Sequence, residues 1–296
     1  MKIILSLVTK QNDYQIAQAA VAEETAHRLD VDLQILFADN DSVNQSQQVL
    51  QAIQANDSKP AGVIVFPVSD TGLVQVAKLA ISSGIGWGII GRNVDYIGSM
   101  RSSCSVPVFK VITDHVEIGR IQARQVGALV PEGGLILYVQ GPTGASSSSD
   151  RLAGFNEIKP SNIEYRSLRA AWTQESAYES MCGFLRLATS VALPLRAVVA
   201  QSDSMAMGVR QAIEERIKSA ERERWLGLPF LGCDGVSQAG MAWVNGKLLK
   251  ATVIHPLTAG IALEMLVSGL KSGKQPSETT VLMPSAYPAI ENLRKK

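Results

Sequence analysis

The chain has 296 residues, which is enough for one large domain or for two lobes of ordinary size. Hydrophobic residues make up 46% of it and charged residues 19%, the balance of a soluble globular protein with a substantial core. Because 28 Lys and Arg residues nearly balance 27 Asp and Glu residues, the composition provides no net field that favours nucleic acid or an anionic membrane. We therefore expect no nucleic-acid partner.

Cysteine and histidine usage argues against a metal or redox centre. The three cysteines lie far apart and form no C-x-x-C pair: Cys104, Cys182 and Cys233. The three histidines do not have the spacing of zinc ligands either: His27, His115 and His255. No cofactor is expected.

Strand and helix patterns alternate almost from end to end. The predicted strands run over 3–8, 33–38, 62–67, 86–91, 111–113, 135–139, 163–170, 196–200, 228–233, 250–254 and 281–283. The predicted helices run over 16–29, 40–53, 73–82, 116–130, 150–158, 175–189 and 257–268, with further helical patterns after Ser202 and after Asp234. The segment 94–110 breaks the rhythm and is expected to be irregular, and 141–149 is expected to be a flexible loop.

Strands separated by helices of this length predict right-handed crossovers and parallel sheets. The number of strands exceeds the usual sheet of about five or six, so two three-layer lobes are the economical arrangement. The irregular segment near 94–113 is the natural first crossing between them.

Polar side chains stand at the ends of two of these strands. Ser202 and Asp203 follow the strand 196–200, and Asp234 follows the strand that begins at 228. In open α/β sheets, ligands bind at the carboxyl ends of the strands, so this edge is a candidate ligand cleft. An aspartate before a helix is also commonly an N-cap. We favour the cap for Asp203 and a ligand contact for Asp234.

The order of several short motifs resembles the type I periplasmic binding proteins, in particular their ribose- and galactose-binding branch, whose fold is shared with the effector domains of LacI-type repressors. The motifs are Asn12-Asp-Tyr, Gly62-Val-Ile-Val-Phe-Pro-Val, Gly91-Arg92, Asp114, Gly141-Pro-Thr-Gly-Ala-Ser with Arg151 and Gly154-Phe155, Ala200-Gln-Ser-Asp-Ser-Met, Gly232-Cys-Asp-Gly, and Asn245-Gly-Lys-Leu-Leu-Lys-Ala-Thr-Val. Each motif alone is weak, but the resemblance covers nearly the whole chain.

The resemblance implies an α/β fold with two Rossmann-like three-layer lobes joined by a three-segment hinge. It places residues 1–113 and 255–282 in one lobe and 114–254 and 283–296 in the other. It also implies a monomeric, non-catalytic receptor that closes around a sugar or similar polyol and presents it to an ABC importer or a signalling partner. The ligand-binding residues that it implies are Asn12, Tyr14, Gln15, Arg92, Ser149, Trp172, Ser202, Asp234 and His255.

The chain departs from the family pattern at several of these positions. Gly91 stands where such sugar binders usually carry an aspartate, and Ser149 stands where they often carry an arginine. Ser202 and His255 replace an asparagine and a glutamine. Charged or planar groups hold sugar hydroxyls best. The predicted pocket is therefore less charged, and other small polar molecules remain open as ligands.

Several alternatives stay open at this level. Trp172 is either a ring that stacks on a sugar or a core residue, and Arg92 either holds hydroxyls or forms an ordinary ion pair. Two other functions also remain: a cytoplasmic effector-sensing domain, and an enzyme that uses the same cleft, for which no nucleophile or metal motif is found. We expect a periplasmic location if a leader peptide has been removed, and a cytoplasmic one otherwise.

Overall fold

A computed structural model describes residues 1–55, 59–102, 104–187 and 192–294. Its strands are β1 (Lys2–Leu7), β2 (Asp32–Phe37), β3 (Gly62–Val65), β4 (Gly86–Ile90), β5 (Val108–Thr113), β6 (Gly134–Gln140), β7 (Ile163–Arg169), β8 (Leu195–Ala200), β9 (Phe230–Leu231), β10 (Thr252–Ile254), β11 (Thr279–Leu282) and β12 (Ser285–Tyr287). Its helices are α1 (Asp13–Leu29), α2 (Ser42–Gln54), α3 (Val74–Ser82), α4 (Ile97–Arg101), α5 (His115–Leu129), α6 (Ser146–Ile158), α7 (Gln174–Leu185), α8 (Asp203–Arg216), α9 (Ser219–Leu226), α10 (Gly240–Asn245), α11 (Ala259–Ser272) and α12 (Ile290–Leu293).

The strands form two separate parallel sheets. The first has the order β11-β5-β4-β3-β1-β2, and the second has the order β7-β6-β8-β9. A short antiparallel pair, β10 with β12, lies beside the second sheet, because Leu231 bridges to Ala251 and Asp234 bridges to Ile254. The prediction of an α/β fold with two Rossmann-like lobes is confirmed. The exact lobe boundaries stay a prediction.

Alternating side chains along the central strands fill both faces of each sheet. In β1, Ile3 and Leu5 belong to one buried cluster, whereas Ile4 belongs to another that contains Trp87. In β6, Leu137 and Tyr138 are divided in the same way between two further clusters. Since successive strand residues point to opposite faces, each sheet is covered by helices on both sides and forms a three-layer lobe.

The structure differs from the predicted elements mainly where a distant segment completes the hydrogen bonding. Strand β5 begins three residues earlier than predicted because Lys110 N donates to Glu278 O at 2.8 Å and Val108 N donates to Gln275 Oε1 at 3.0 Å. The segment 94–110, expected to be irregular, contains helix α4. Helix α7 ends at Leu185, and the predicted helix end at 189 lies outside the described residues.

No helix within the described part of the chain is long and apolar enough to cross a membrane.

Candidate functional site

A cavity with about 450 Å³ of empty space lies where the carboxyl ends of the two sheets face each other. Segments that follow β1, β3 and β4 line it from one side, and the start of helix α5 together with segments that follow β6 to β10 lines it from the other. The lining residues are Val8, Thr9, Asn12, Tyr14, Gln15, Phe66, Arg92, His115, Ser147, Arg151, Trp172, Ser202, Asp234 and His255.

The structure brings together most of the residues that the sequence singled out. Those at the cavity are Asn12, Tyr14, Gln15, Arg92, Trp172, Ser202, Asp234 and His255. Their role as ligand contacts stays a prediction.

Ser149 does not belong to this set, and its assignment to the site needs correction. Helix α6 begins at Ser146, four residues earlier than predicted, so Ser149 lies in its first turn on the outward side. Its side chain is exposed, and its hydroxyl donates to Ser146 O at 2.9 Å. The same helix instead presents Ser147 and Arg151 to the cavity. Their four-residue spacing would have indicated this, had the helix start been recognised.

Asn12 connects the first turn of α1 to the opposite side of the cavity. Its Oδ1 caps the helix by accepting from Tyr14 N at 2.9 Å and from Gln15 N at 3.2 Å. Its Nδ2 donates to Trp172 O at 2.8 Å. Trp172 has a φ of 65°, a backbone conformation that non-glycine residues rarely adopt. The asparagine therefore both caps a helix and contacts the loop that carries the tryptophan.

The Trp172 ring lies close against backbone and near a cation. A Cβ at Gly141 would come within 2.2 Å of the ring, so this glycine is required for the tryptophan to approach. The Arg151 guanidinium lies 5.5 Å from the ring centroid, within cation–π distance.

Arg151 is 3% exposed and organises two buried imidazoles. Its Nε donates to His115 Nδ1 and its Nη2 to His255 Nδ1, both at 3.4 Å, while its Nη1 donates to Gln201 O. Because both Nδ1 atoms accept, each neutral ring carries its proton on Nε2. The His115 Nε2 donates to Gly91 O at 2.7 Å. In contrast, the His255 Nε2 is buried and has no partner among the described residues.

Burial keeps these imidazoles neutral. Together with the nearby Arg151 charge, it lowers the pKa of His115 to about 3 and the pKa of His255 well below its ordinary value. The Tyr14 ring stacks on His255 with centroids 4.1 Å apart, and its hydroxyl donates to Pro256 O at 2.8 Å. His255 is thus a fixed hydrogen-bond donor at neutral pH.

Arg92, at the end of β4, is only 2% exposed. Its Nη1 donates to Asp70 Oδ1 at 3.3 Å, and its Nε has no partner among the described residues. A buried, unpaired guanidinium donor costs free energy unless a bound molecule or water satisfies it.

The two aspartates behave differently from each other. Capping of α8 falls to Ser202, whose Oγ accepts from Met205 N at 3.1 Å, so the expectation that Asp203 is the cap is wrong. The Asp203 carboxylate is buried and accepts from Gly235 N at 2.8 Å and Thr252 Oγ1 at 2.7 Å. Burial raises its pKa to about 6.

Asp234 lines the cavity itself, with Oδ1 3.8 Å from His255 Nδ1. Burial, and then the neighbouring Asp203, raise the pKa of Asp234 well above its ordinary value. The site therefore combines donors from Arg92 and His255 with a carboxyl group and an aromatic face. Among the described residues, no group of three or more His, Cys, Asp or Glu side chains is arranged to hold a metal ion.

Comparisons with known proteins agree with this architecture. The family model described as a periplasmic binding protein domain matches residues 3–275. The D-allose-binding periplasmic protein of Escherichia coli (strain K12) is 26% identical over 274 residues, covering 90% of this chain and 84% of that protein. The galactofuranose-binding protein of the same organism is 26% identical over 298 residues, covering 98% of this chain and 90% of that protein.

Solved structures show the same fold. A crystal structure of a galactofuranose binding protein superimposes with a TM-score of 0.82 at 23% identity, covering 100% of this chain and 96% of that one. A solute binding protein from Actinobacillus succinogenes 130z with bound D-allose gives a TM-score of 0.80 at 21% identity, covering 100% and 99%. The motif order, the two facing sheets and the family match agree, and the chain belongs to the type I periplasmic binding proteins.

Proposed function

We propose that this protein is a non-catalytic solute receptor that binds one sugar or polyol between its lobes and presents it to an ABC importer. The observation that carries the proposal is the cavity between the two sheets, where buried donors on Arg92 and His255 have no partner in the described part of the chain. A ligand with several oxygen atoms would satisfy both donors, and water would be excluded when the lobes close.

The two sides of the cavity offer different contacts to such a ligand. Arg92 and Gln15 lie on the first-sheet side, where the guanidinium Nε, which no described residue bonds, can donate to a ligand oxygen. Trp172, Ser202 and Asp234 lie on the second side and supply an aromatic face, a hydroxyl and a carboxyl group. Closure follows from how much better the ligand binds when both sides contact it than when one does.

The groups that line the cavity favour a small polar ligand. Donors on Arg92 and His255, a carboxyl group on Asp234 and the Trp172 ring all face it. The names of relatives point to the same ligand class, since one binds D-allose and another binds galactofuranose. For this chain we propose a neutral pyranose, furanose or cyclic polyol as the ligand.

The family relationship also supports a membrane permease as the partner and the periplasm as the location. The relatives include a periplasmic binding protein and an import binding protein. We propose that this receptor acts in the periplasm as a monomer, with the closed form recognised by a membrane permease. None of the named relatives is an enzyme, which supports binding without turnover.

The experiment is calorimetric titration of the purified protein with a panel of neutral monosaccharides that includes D-allose. We expect at least one sugar to bind with one site per chain. Trp172→Ala should weaken that binding by roughly 1–3 kcal/mol, through loss of ring stacking and burial. Trp172→Phe keeps an aromatic face and should lose much less.

Failure of the whole panel to bind the wild-type protein would contradict a sugar receptor. Unchanged affinity in Trp172→Ala, with the wild type binding normally, would remove only this residue from the site.

A further inference from the structure

The two carboxylate oxygens of Asp70 accept hydrogen bonds from residues that follow strands of different sheets. It lies in the segment between β3 and α3, on the first-sheet side of the cavity. Its Oδ1 accepts from Arg92 Nη1 at 3.3 Å. Its Oδ2 accepts from Ser146 N at 3.2 Å, at the start of helix α6, which follows β6 of the second sheet. One carboxylate thus joins a cavity-lining arginine to the opposite lobe.

Within the described residues, helix α6 receives no hydrogen bond from the side chain of its own N-cap residue. Its N-cap residue is Ala145, which has no acceptor to offer to the free N–H groups of the first turn. A carboxylate at this position satisfies one of these groups and interacts favourably with the positive end of the helix dipole. Asp70 therefore supplies from the first lobe the cap that the second lobe lacks.

The segment that carries Asp70 is fixed to the first lobe by helix α2. Gln45 Nε2 donates to Phe66 O and its Oε1 accepts from Val68 N, both at 2.8 Å. Ser46 Oγ donates to Gly72 O at 2.9 Å. Because the segment is anchored on both sides of Asp70, the carboxylate is held in position toward the second lobe rather than ordered by it.

Two other contacts across the cavity lack this combination. Asn12 Nδ2 donates to Trp172 O at 2.8 Å, and Ser204 Oγ donates to Asp13 Oδ2 at 3.1 Å. Neither of these two hydrogen bonds links a buried arginine at the cavity to the end of a helix in the opposite lobe. Of these three contacts, the one made by Asp70 has a charge and a helix dipole as its partners.

We propose that Asp70 is an interlobe latch that shifts the equilibrium between the open and closed forms toward the closed form and positions Arg92 for the ligand. The inference rests on the proposed closure of the two lobes. While the latch is closed, the Arg92 charge is balanced by Asp70 and its Nε is left for the ligand. The residue would thus link ligand binding at Arg92 to the contact that favours the closed form.

Two substitutions remove the latch from opposite sides. Asp70→Asn replaces one of the two acceptor oxygens with an amide nitrogen, which only donates. In the observed geometry either Arg92 Nη1 or Ser146 N would therefore face a donor. Ser146→Pro removes the donor N–H at the first helical position, where proline is well tolerated. The preceding residue, Ala145, already has the extended conformation that a following proline requires, with φ −104° and ψ 112°.

The control is Asp41→Asn, since Asp41 caps helix α2 entirely within the first lobe by accepting from Val43 N at 2.8 Å and Asn44 N at 3.2 Å. Asparagine keeps an oxygen that can accept both bonds and caps helices about as well as aspartate, so this change should leave stability nearly unchanged and should not alter how the lobes meet. The measurement is small-angle X-ray scattering of the ligand-free proteins, with hydrogen exchange at the Ser146 amide as a second readout.

We expect a larger radius of gyration in Asp70→Asn and Ser146→Pro than in the wild type, with no further increase in the double variant. The Ser146 amide should exchange roughly tenfold faster or more in Asp70→Asn, through loss of a charge-assisted hydrogen bond. Equal radii and equal exchange in wild type and Asp70→Asn would overturn the proposal, even if Ser146→Pro did not fold. No sugar is used, so a failed sugar titration does not affect this outcome.

Discussion

At the scale of single residues, His255 shows how neighbours fix a protonation state. It is 3% exposed, its Nδ1 accepts from Arg151, and its ring stacks on Tyr14. Both the burial and the adjacent positive charge oppose a second proton, so the pKa of His255 lies well below its ordinary value. A neutral donor, rather than a cation, faces the cavity.

This protonation state has a consequence for stability that His255→Gln should reveal. In the unfolded chain the pKa of histidine returns to about 6.5, so the unfolded state binds more protons than the folded state below that pH. The His255 contribution to stability is therefore lost as pH falls from 7 to 5. Glutamine does not titrate and avoids this loss.

The free energy of unfolding of His255→Gln, relative to the wild type, should rise by up to about 1.4 kcal/mol per pH unit as the pH falls. Urea unfolding of both proteins at pH 7, 6 and 5 measures it. A difference that stays constant over this range would mean that His255 is not held neutral.

The family resemblance supplied most of the predicted site residues, and residue types at strand ends independently indicated Ser202 and Asp234, because parallel strands bring their carboxyl ends to one edge. Arg92 and Asp234 reach the cavity for this reason. The resemblance placed Ser149 in the site, but this serine is exposed in the first turn of helix α6. Asp70 was missed because its partners, Arg92 and Ser146, are distant in the sequence.

At the scale of elements, the backbones of helices α5 and α6 come into close contact at two glycines. A Cβ at Gly119 would lie 1.9 Å from Arg151 O, and a Cβ at Gly154 would lie 1.9 Å from Val116 O. This backbone contact sets where α6 places Arg151, and through it the two imidazoles. The glycines thus act on the site without lining it.

Gly154→Ala should force these helices apart. We expect the free energy of unfolding to fall by about 1–3 kcal/mol, as for other overpacked cores. Gly183→Ala is the matched control, because Gly183 is exposed in helix α7 and a Cβ added there would meet no atom of the described residues within 4 Å. That change should be neutral or stabilise by about 0.4–1 kcal/mol. Urea unfolding compares the two, and equal effects would contradict the close packing.

The limits of sequence-based prediction also appear at this scale. Strands such as β1, β3 and β4 were predicted because they are continuous apolar runs with turn residues on each side. The start of β5 was not predicted, because its first residues form hydrogen bonds with a segment more than 160 positions away in the sequence. Short helices such as α4 carry too few turns for a periodic pattern to be recognised.

At the scale of the whole molecule, two sheets place the carboxyl ends of their strands around one cavity. The count of strands and helices predicted two lobes, and the order of motifs predicted the family. Neither the count of elements nor the order of motifs could predict the contacts between the lobes. These contacts depend on side chains that come together only when both lobes have folded. The latch at Asp70 and the Asn12 bond to Trp172 are of this kind.

The central claim is that one small polar ligand is held between the lobes. The most direct test is a crystal structure of the protein with the monosaccharide that binds most tightly in calorimetry. We expect the sugar in the cavity, within hydrogen-bond distance of Arg92 and Asp234 and with its ring against Trp172. A sugar bound elsewhere, with that cavity occupied only by water, would contradict the account.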